Sequence, residues 1–414
     1  MRPALDLIYD WNEVERSGRS IPKGVGFFDE TLREGLQNPS VTDPPVHAKI
    51  EMLHLMNEVG IQGANVGLPS SSARAFSDVV AMCRSVADAK LGLSLACAGR
   101  TVVSDITPII EASQRAGLPL DAFVFIGSSP IRQLAEDWDL ELILKRSAEA
   151  IDTAVKGGLS VCYVTEDTTR SRPEVLRTLF RMAIDHGATR LCVADTVGHA
   201  TPDGVRNLLA FTKTVIAETG ADVRIDWHGH NDRGLALENA LWALQYGAAR
   251  VHGTALGIGE RVGNAAMELI LLNMKLLGLI DQDLGKLVAY CQAVAQGFGW
   301  QVPINYPLVG ADAFRTATGV HAAAIIKAQA KGDAWLADRI YSGVPAGLFG
   351  RQQEICIGYM SGASNVIYWL RQRGIEPVPA LVEAVLAIAK TSDHILSNEE
   401  VAAVVARETS ARVR

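Results

Sequence analysis

A chain of 414 residues is too long for one minimal domain and suits a barrel of about 250 residues with an appendage. With 48% hydrophobic and 21% charged residues there is ample apolar surface to bury, which excludes long disordered stretches. The formal charge of -7, without a Lys/Arg cluster interleaved with aromatic residues, excludes a nucleic-acid backbone as the natural partner.

In chain order, residues 1–23 read as an N-terminal extension that carries acids at Asp6, Asp10 and Glu13 and lacks a basic-then-apolar leader. Eight β-rich runs follow, expected at Gly26–Asp29, Gly63–Leu68, Leu91–Cys97, Ala122–Gly127, Leu159–Thr165, Arg190–Asp195, Val223–His228 and Arg250–Leu256. Helical patterns fall between them, among them His47–Val59, Leu140–Val155, Glu174–His186, Gly204–Glu218 and Leu235–Tyr246, and Ala265–Leu277 closes the series. Glycines 60, 117, 158, 187 and 247 stand where helices end and strands begin, as C′ glycines do. Eight strands each followed by a helix is the count of a TIM (β/α)₈ barrel, expected over 24–279; a doubly wound sheet would usually have fewer strands. Over 280–414 the rhythm changes to a mainly helical C-terminal annex, whose last helix is announced by the capping box Ser397 and Glu400.

No apolar stretch approaches the ~20 residues of a membrane helix. Cysteines 83, 97, 162, 192, 291 and 356 lie mostly in apolar runs and never in a CxxC spacing, so reduced thiols in a cytoplasmic protein are expected.

Barrels place chemistry at the C-terminal ends of their strands. There the chain reads Asp29–Gly35 after strand one, Thr165–Asp167 after strand five, Asp195–Thr196 after strand six and His228–Asp232 after strand seven. His228 and His230 are two apart, so in an extended segment both imidazoles leave from one side. With Glu34 as carboxylate they would form an open site for a divalent cation. An isolated HxH pair also fits two core histidines, but a strand end facing an acidic and basic loop favours ligands. Arg33 beside Glu34 reads either as a loop ion pair or as a guanidinium placed to stabilise a developing enolate or alkoxide.

These residues spell a family. FDETLREGLQ, HGHNDRGLALENALWALQYGA and GIGERVGNA resemble the signatures of the DRE-TIM metallolyases, and the resemblance runs from about Gly24 to about Gly374. It implies catalysis by Arg33, a metal (Mg, Mn or Zn) held by Glu34, His228, His230 and Asn264, and Glu166 of TEDTTR at the reacting centre. It further implies substrate contacts by Thr196 and Asp195 of DTVGHATP, by Gln37 and at the Asn65 position. TGVHAAAI, around His321, resembles the flap of the condensing branch, which includes 2-isopropylmalate, homocitrate and citramalate synthases. There a histidine from one subunit completes its partner's site, which implies a domain-swapped homodimer, with His321 as base and Tyr341 as a second annex residue.

The expected activity is therefore condensation of acetyl-CoA with a 2-oxo acid and hydrolysis of the thioester, giving a 2-alkylmalate-type product and CoA. ANVGLPSSS, with Asn65 in place of the usual acid, and YMSGASN (Tyr359–Asn365) depart from the leucine-pathway pattern. Both resemble the branch with Re-type citrate and phosphinomethylmalate synthases, so oxaloacetate or an analogue stands as an alternative substrate. A hydroxymethylglutaryl-CoA lyase-like retro-aldol lyase is the rival of another class, against which the annex speaks.

Overall fold

Short runs rich in β-branched, aromatic and small residues alternate with longer amphipathic ones, and the parallel sheet they build closes on itself. A computed structural model describes residues 7–14 and 21–413; the extension expected over 1–23, with Asp6, lies largely outside these. Strands β1 (Gly26–Asp29), β2 (Gly63–Asn65), β3 (Ser94–Arg100), β4 (Leu120–Gly127), β5 (Ser160–Glu166), β6 (Arg190–Asp195), β7 (Arg224–Gly229) and β8 (Arg250–Gly253) pair in sequence order as a closed barrel. Closure is parallel, with Gly26 opposite Arg250 and Asp29 opposite Gly253. The fold is the TIM barrel expected from the strand count.

Helices follow the strands: α1 (Val46–Glu58), α2 (Ala73–Asp88), α3 (Val103–Ala116), α4 (Pro130–Glu136), α5 (Leu140–Lys156), α6 (Pro173–Asp185), α7 (Pro202–Thr219), α8 (Ala236–Tyr246) and α9 (Met267–Leu276). The five C′ glycines expected at the helix ends all have positive φ, from 65° at Gly117 to 102° at Gly247. That left-handed conformation costs a residue with a Cβ and costs glycine little.

Two expected strands are shorter than their apolar runs. β2 stops at Asn65, and β8 stops at Gly253, beyond which Leu256 adopts φ 57°. A left-handed residue cannot continue a strand, so the run expected as Arg250–Leu256 leaves the sheet after Gly253 and bends into a loop.

The interior alternates as parallel strands require. Phe28, Ala96, Phe123, Cys162 and Cys192 are buried together, and the rings of Phe28 and Phe123 stack with centroids 4.9 Å apart. Beside this apolar packing lies a charged group: Asp226 accepts from Arg190 Nη1 at 2.7 Å and Arg250 Nε at 2.9 Å, and His252 Nε2 lies 3.3 Å away. Burial alone would raise the Asp226 carboxyl, but Arg250, His252 and Arg190 outweigh it and hold it below the usual carboxylate range.

The chain divides into two compact units, one of Met1–Gln282 with Ala289–Trp300 and one of Asp283–Val288 with Gln301–Arg414. α10 (Leu287–Phe298) lies within the stretch expected as annex, yet from Ala289 it is grouped with the barrel in the first unit, to which it contributes Tyr290. Its hydroxyl donates to Asp29 and lies 3.1 Å from Thr31 Oγ1.

The second unit holds α11 (Gly319–Ala330), α12 (Ala334–Arg339), α13 (Ala363–Arg371), α14 (Pro379–Thr391) and α15 (Asn398–Val413), with a parallel pair of two-residue strands, β9 (Arg315–Thr316) and β10 (Glu354–Ile355). Val366, Leu370, Leu381, Val385 and Val401 form its core. The capping box is reciprocal: Ser397 N donates to Glu400 Oε2 at 2.7 Å and Glu400 N to Ser397 Oγ at 3.1 Å. All six cysteines are free. Among the described residues no helix is long and apolar enough to cross a membrane.

Candidate active site

The site begins where β1 turns. Glu30 N donates to Gly253 O at 2.8 Å and Thr31 N to Asp29 Oδ1 at 2.8 Å, which ends the strand and curls Thr31–Gly35 over the barrel mouth. This turn presents Arg33 and Glu34. Arg33 Nε donates to Glu30 Oε2 at 3.0 Å, and its Nη1 pairs closely with Glu34 Oε1. Burial would disfavour the guanidinium charge, but Glu30 and Glu34 outweigh it and hold Arg33 firmly protonated.

The two-residue period of β7 puts Asp226, His228 and His230 on one side. His230 lies just past the strand and bridges to Asn264, while Asn231 N donates to Gly263 O at 2.9 Å. The loop after β8 is shaped by left-handed residues, Leu256 (φ 57°), Arg261 (φ 56°) and Gly263 (φ 88°). At Gly259 a Cβ would fall 1.9 Å from Asn264 Oδ1, so glycine there makes room for the Asn264 amide, whose Nδ2 lies 3.4 Å from His228 Nε2.

Three donors converge. The Nε2 atoms of His228 and His230 are 3.3 Å apart, and Glu34 oxygens lie 3.8 Å from each. Nitrogens about 3.3 Å apart match two ligands at about 2.1 Å from one ion. Burial lowers the pKa of both histidines, assisted at His228 by His230, so both imidazoles are neutral and offer lone pairs at neutral pH. Glu34 Oε2 and Asn264 Oδ1 are buried without a hydrogen-bond partner, an arrangement that a cation would relieve. The residues therefore fit a divalent cation, with Glu34, His228 and His230 as the donor set and Asn264 adjacent.

A cavity of about 190 Å³ opens beside these groups. Arg33, Glu34, Gln37, Glu166, Thr196, His228 and His230 all line it, so seven of the residues expected at the site share one space. Burial raises the pKa of Glu166, against the pull of Arg132 and Arg33, and places a carboxyl able to hold or release a proton inside the cavity. Thr196 Oγ1 already accepts from Asp167 N at 2.8 Å.

The remaining expected residues lie elsewhere. Asp195 is a loop anchor, its Oδ1 accepting from His199 N and Thr169 Oγ1, both at 2.8 Å, and it does not line the cavity. Asn65 is also outside the lining; its Oδ1 accepts from Gly67 N at 3.2 Å, although its Nδ2 has no partner. His321 and Tyr341 belong to the second unit, where both are exposed and their rings stack with centroids 4.0 Å apart.

Sequence reasoning missed Glu30 and His252. Both line the cavity, with His252 Nδ1 3.3 Å from Glu30 Oε1 and Nε2 3.3 Å from Asp226 Oδ2. Burial opposes the His252 charge, but the surroundings (Cys192, then Asp226 and Glu30) raise its pKa to about 9. The signal was present, since Arg250 and His252 share the inward period of β8 and Glu30 sits inside the motif of Arg33.

A closed parallel barrel whose strand ends gather a buried Glu–His–His donor set, an arginine and a further carboxyl defines a TIM-barrel enzyme with a candidate metal centre at its C-terminal mouth. The chain belongs to the HMGL-like family, whose model matches residues 24–294. Within it the relatives are synthases of the condensing branch. The homocitrate synthase AksA of Methanopyrus kandleri is 32% identical over 88% of this chain and 87% of its own length. A probable 2-isopropylmalate synthase of the same organism is 32% identical over 86% of this chain and 67% of its own. Among solved structures, the HMG-CoA lyase of Bacillus subtilis shares the fold, with TM-score 0.58 and 22% identity over 68% of this chain and 96% of that one.

Proposed function

We propose that this protein is an acyltransferase that condenses acetyl-CoA with a 2-oxo acid and hydrolyses the thioester to a 2-alkylmalate-type acid and CoA. The observation that carries the reading is the gathering of Glu34, His228, His230, Arg33 and Glu166 in one cavity. The names of the relatives, synthases for homocitrate and 2-isopropylmalate, supply the reaction class.

Glu34, His228 and His230 would hold a divalent cation, with Asn264 beside it, and the cation when bound would supply Lewis acidity to polarise the ketone. Arg33, fixed by Glu30, offers its guanidinium to the oxygen on which negative charge develops. A base removes a proton from the acetyl methyl group; that carbon then bonds to the ketone carbon, and the resulting alkoxide takes a proton, for which Glu166 is the donor in the cavity. Water then releases CoA from the thioester. Thr196 and Gln37 contact the substrate from the rim.

The base is assigned to His321, with Tyr341 stacked on it, acting on the site of a partner subunit in a domain-swapped homodimer. The free cysteines support a cytoplasmic setting.

The test follows CoA thiol release from acetyl-CoA with pyruvate, 2-oxoisovalerate, 2-oxoglutarate, oxaloacetate and phenylpyruvate, with and without chelator. Chelator-sensitive release with at least one 2-oxo acid is expected. Release that ignores chelator, or none with the whole panel, sinks the synthase reading; cleavage of a hydroxyacyl-CoA would support a lyase in its place.

A further inference from the structure

We propose that the 2-oxo acid accepted here has an apolar side chain and no second carboxylate, and that Phe125 and Val164 select it. The inference rests on the reading above that the cavity binds a 2-oxo acid.

Strands pair around the ring in the order β1 to β8, so β4 lies across the barrel from β8, β3 from β7 and β5 from β1. Charged and ligating groups occupy one half of the cavity: Glu30 and Glu34 after β1, His228 on β7 and His252 on β8. The opposite wall is apolar, with Ala98 from β3, Phe123 and Phe125 from β4 and Val164 from β5, and Ala194 from β6 continues it round towards β7. Glu166 lies two residues beyond Val164 and Thr196 two beyond Ala194, so polar groups return only towards the mouth. A 2-oxo acid held through its carboxylate and ketone at the donor set would direct its side chain at this wall.

Among the described residues of that lining a second carboxylate would find no free cation. Among the lining residues Arg33 already stands between the carboxylates of Glu30 and Glu34, and both ring nitrogens of His252 already face carboxylates, those of Glu30 and Asp226. Near the ends of β3 and β4, Arg100 is taken by Asp105 at 2.7 and 3.0 Å and Arg132 by Glu136 at 3.0 Å, and neither lines the cavity. The lining carries four carboxyls, those of Glu30, Glu34, Glu166 and Glu260. A divalent cation and one substrate carboxylate leave such a cavity with no positive charge to spare, and an unpaired buried carboxylate is far costlier than a buried alkyl or aryl group. This weighs against oxaloacetate, the alternative raised by the sequence departures at Asn65 and Tyr359–Asn365.

Calorimetric titration of the Mn²⁺-loaded full-length protein without acetyl-CoA tests the inference. The probes are 2-oxoisovalerate, 4-methyl-2-oxopentanoate and phenylpyruvate against oxaloacetate and 2-oxoglutarate. Apolar acids should bind at least tenfold more tightly than either dicarboxylate. Phe125→Arg should narrow or reverse that ratio, and Phe125→Ala, a smaller change should the arginine prevent folding, should favour phenylpyruvate over 2-oxoisovalerate. Equal or tighter binding of a dicarboxylate, binding of none of the acids, or ratios indifferent to Phe125→Ala would overturn the proposal. Selective binding of apolar acids without CoA release would keep it and retire the condensing reaction instead, so the two failures are told apart.

Discussion

Glu34 faces two groups, since its oxygens lie 3.8 Å from the imidazoles of His228 and His230 while Oε1 pairs with Arg33. Removing it as Glu34→Ala should weaken Mn²⁺ binding by more than the roughly 10–100-fold typical of changes around a metal's outer ligands. Calorimetry reads this, and unchanged affinity would place the cation elsewhere, for which the overlapping set Glu30, His228 and His252 is the evident choice. Glu166 has no such tie to the donor set. Glu166→Gln keeps the shape and removes the proton, so kcat should fall by about 10²–10⁴ with Mn²⁺ affinity unchanged. A fall of less than threefold would remove it from the chemistry.

Elements position these groups through contacts that can be tested separately. Gly259→Ala would thrust a Cβ to 1.9 Å from Asn264 Oδ1, so the loop after β8 must shift and the Asn264 amide must leave His228. Mn²⁺ affinity should drop about 10–100-fold, as for loss of a supporting group; unchanged affinity would show that Asn264 is dispensable. Where α10 meets β1, burial raises the Asp29 carboxyl from 3.8 to about 6, while hydrogen bonds from Tyr290 and Thr31 partly offset it. Because the folded pKa is the higher one, the group stabilises the fold most below pH 3.8 and loses that contribution as pH rises through about 6. Tyr290→Phe removes a donor to the ionised form, so the added destabilisation should reach about 1.5–3 kcal/mol at pH 8 and be smaller at pH 5. Urea unfolding at the two pH values reads the difference, and equal losses would mean that Asp29 stays protonated at pH 8.

At the scale of the molecule the open matter is how a base reaches the barrel cavity. His321 is exposed and stacked on Tyr341 in the second unit, and the lining of the barrel cavity draws on the first. If the base acts across a dimer, Glu34→Ala and His321→Ala chains, each inactive alone, should complement one another when co-expressed. Half of randomly paired dimers are mixed, and each mixed dimer has one intact site, so roughly a quarter of wild-type activity should return. Light scattering on the same sample must show a dimer; a monomer with full activity removes the shared-site proposal.

Much of this molecule is legible in its residues because the signals are local. The eight strands and the C′ glycines follow from alternation and from a backbone conformation that glycine adopts at little cost, and the pairing of His228 with His230 follows from the period of a strand. What local signals miss is set by closure. The run Arg250–Leu256 reads as one strand, yet Leu256 must turn left-handed so that the loop can return Asn264 to the donor set. Asp195 reads as a strand-end substrate contact, and only the fold shows its oxygens accepting from Thr169, His199 and Ala200. His252 in isolation is one histidine in an apolar strand; its role depends on Glu30, far from it in sequence, and on Asp226, which meet it from the neighbouring strands β1 and β7 once the barrel closes. The donor set and the arginine were therefore readable from sequence, whereas the charge balance of the cavity and its apolar far wall belong to the closed barrel, because only closure brings β3, β4 and β5 opposite β7, β8 and β1.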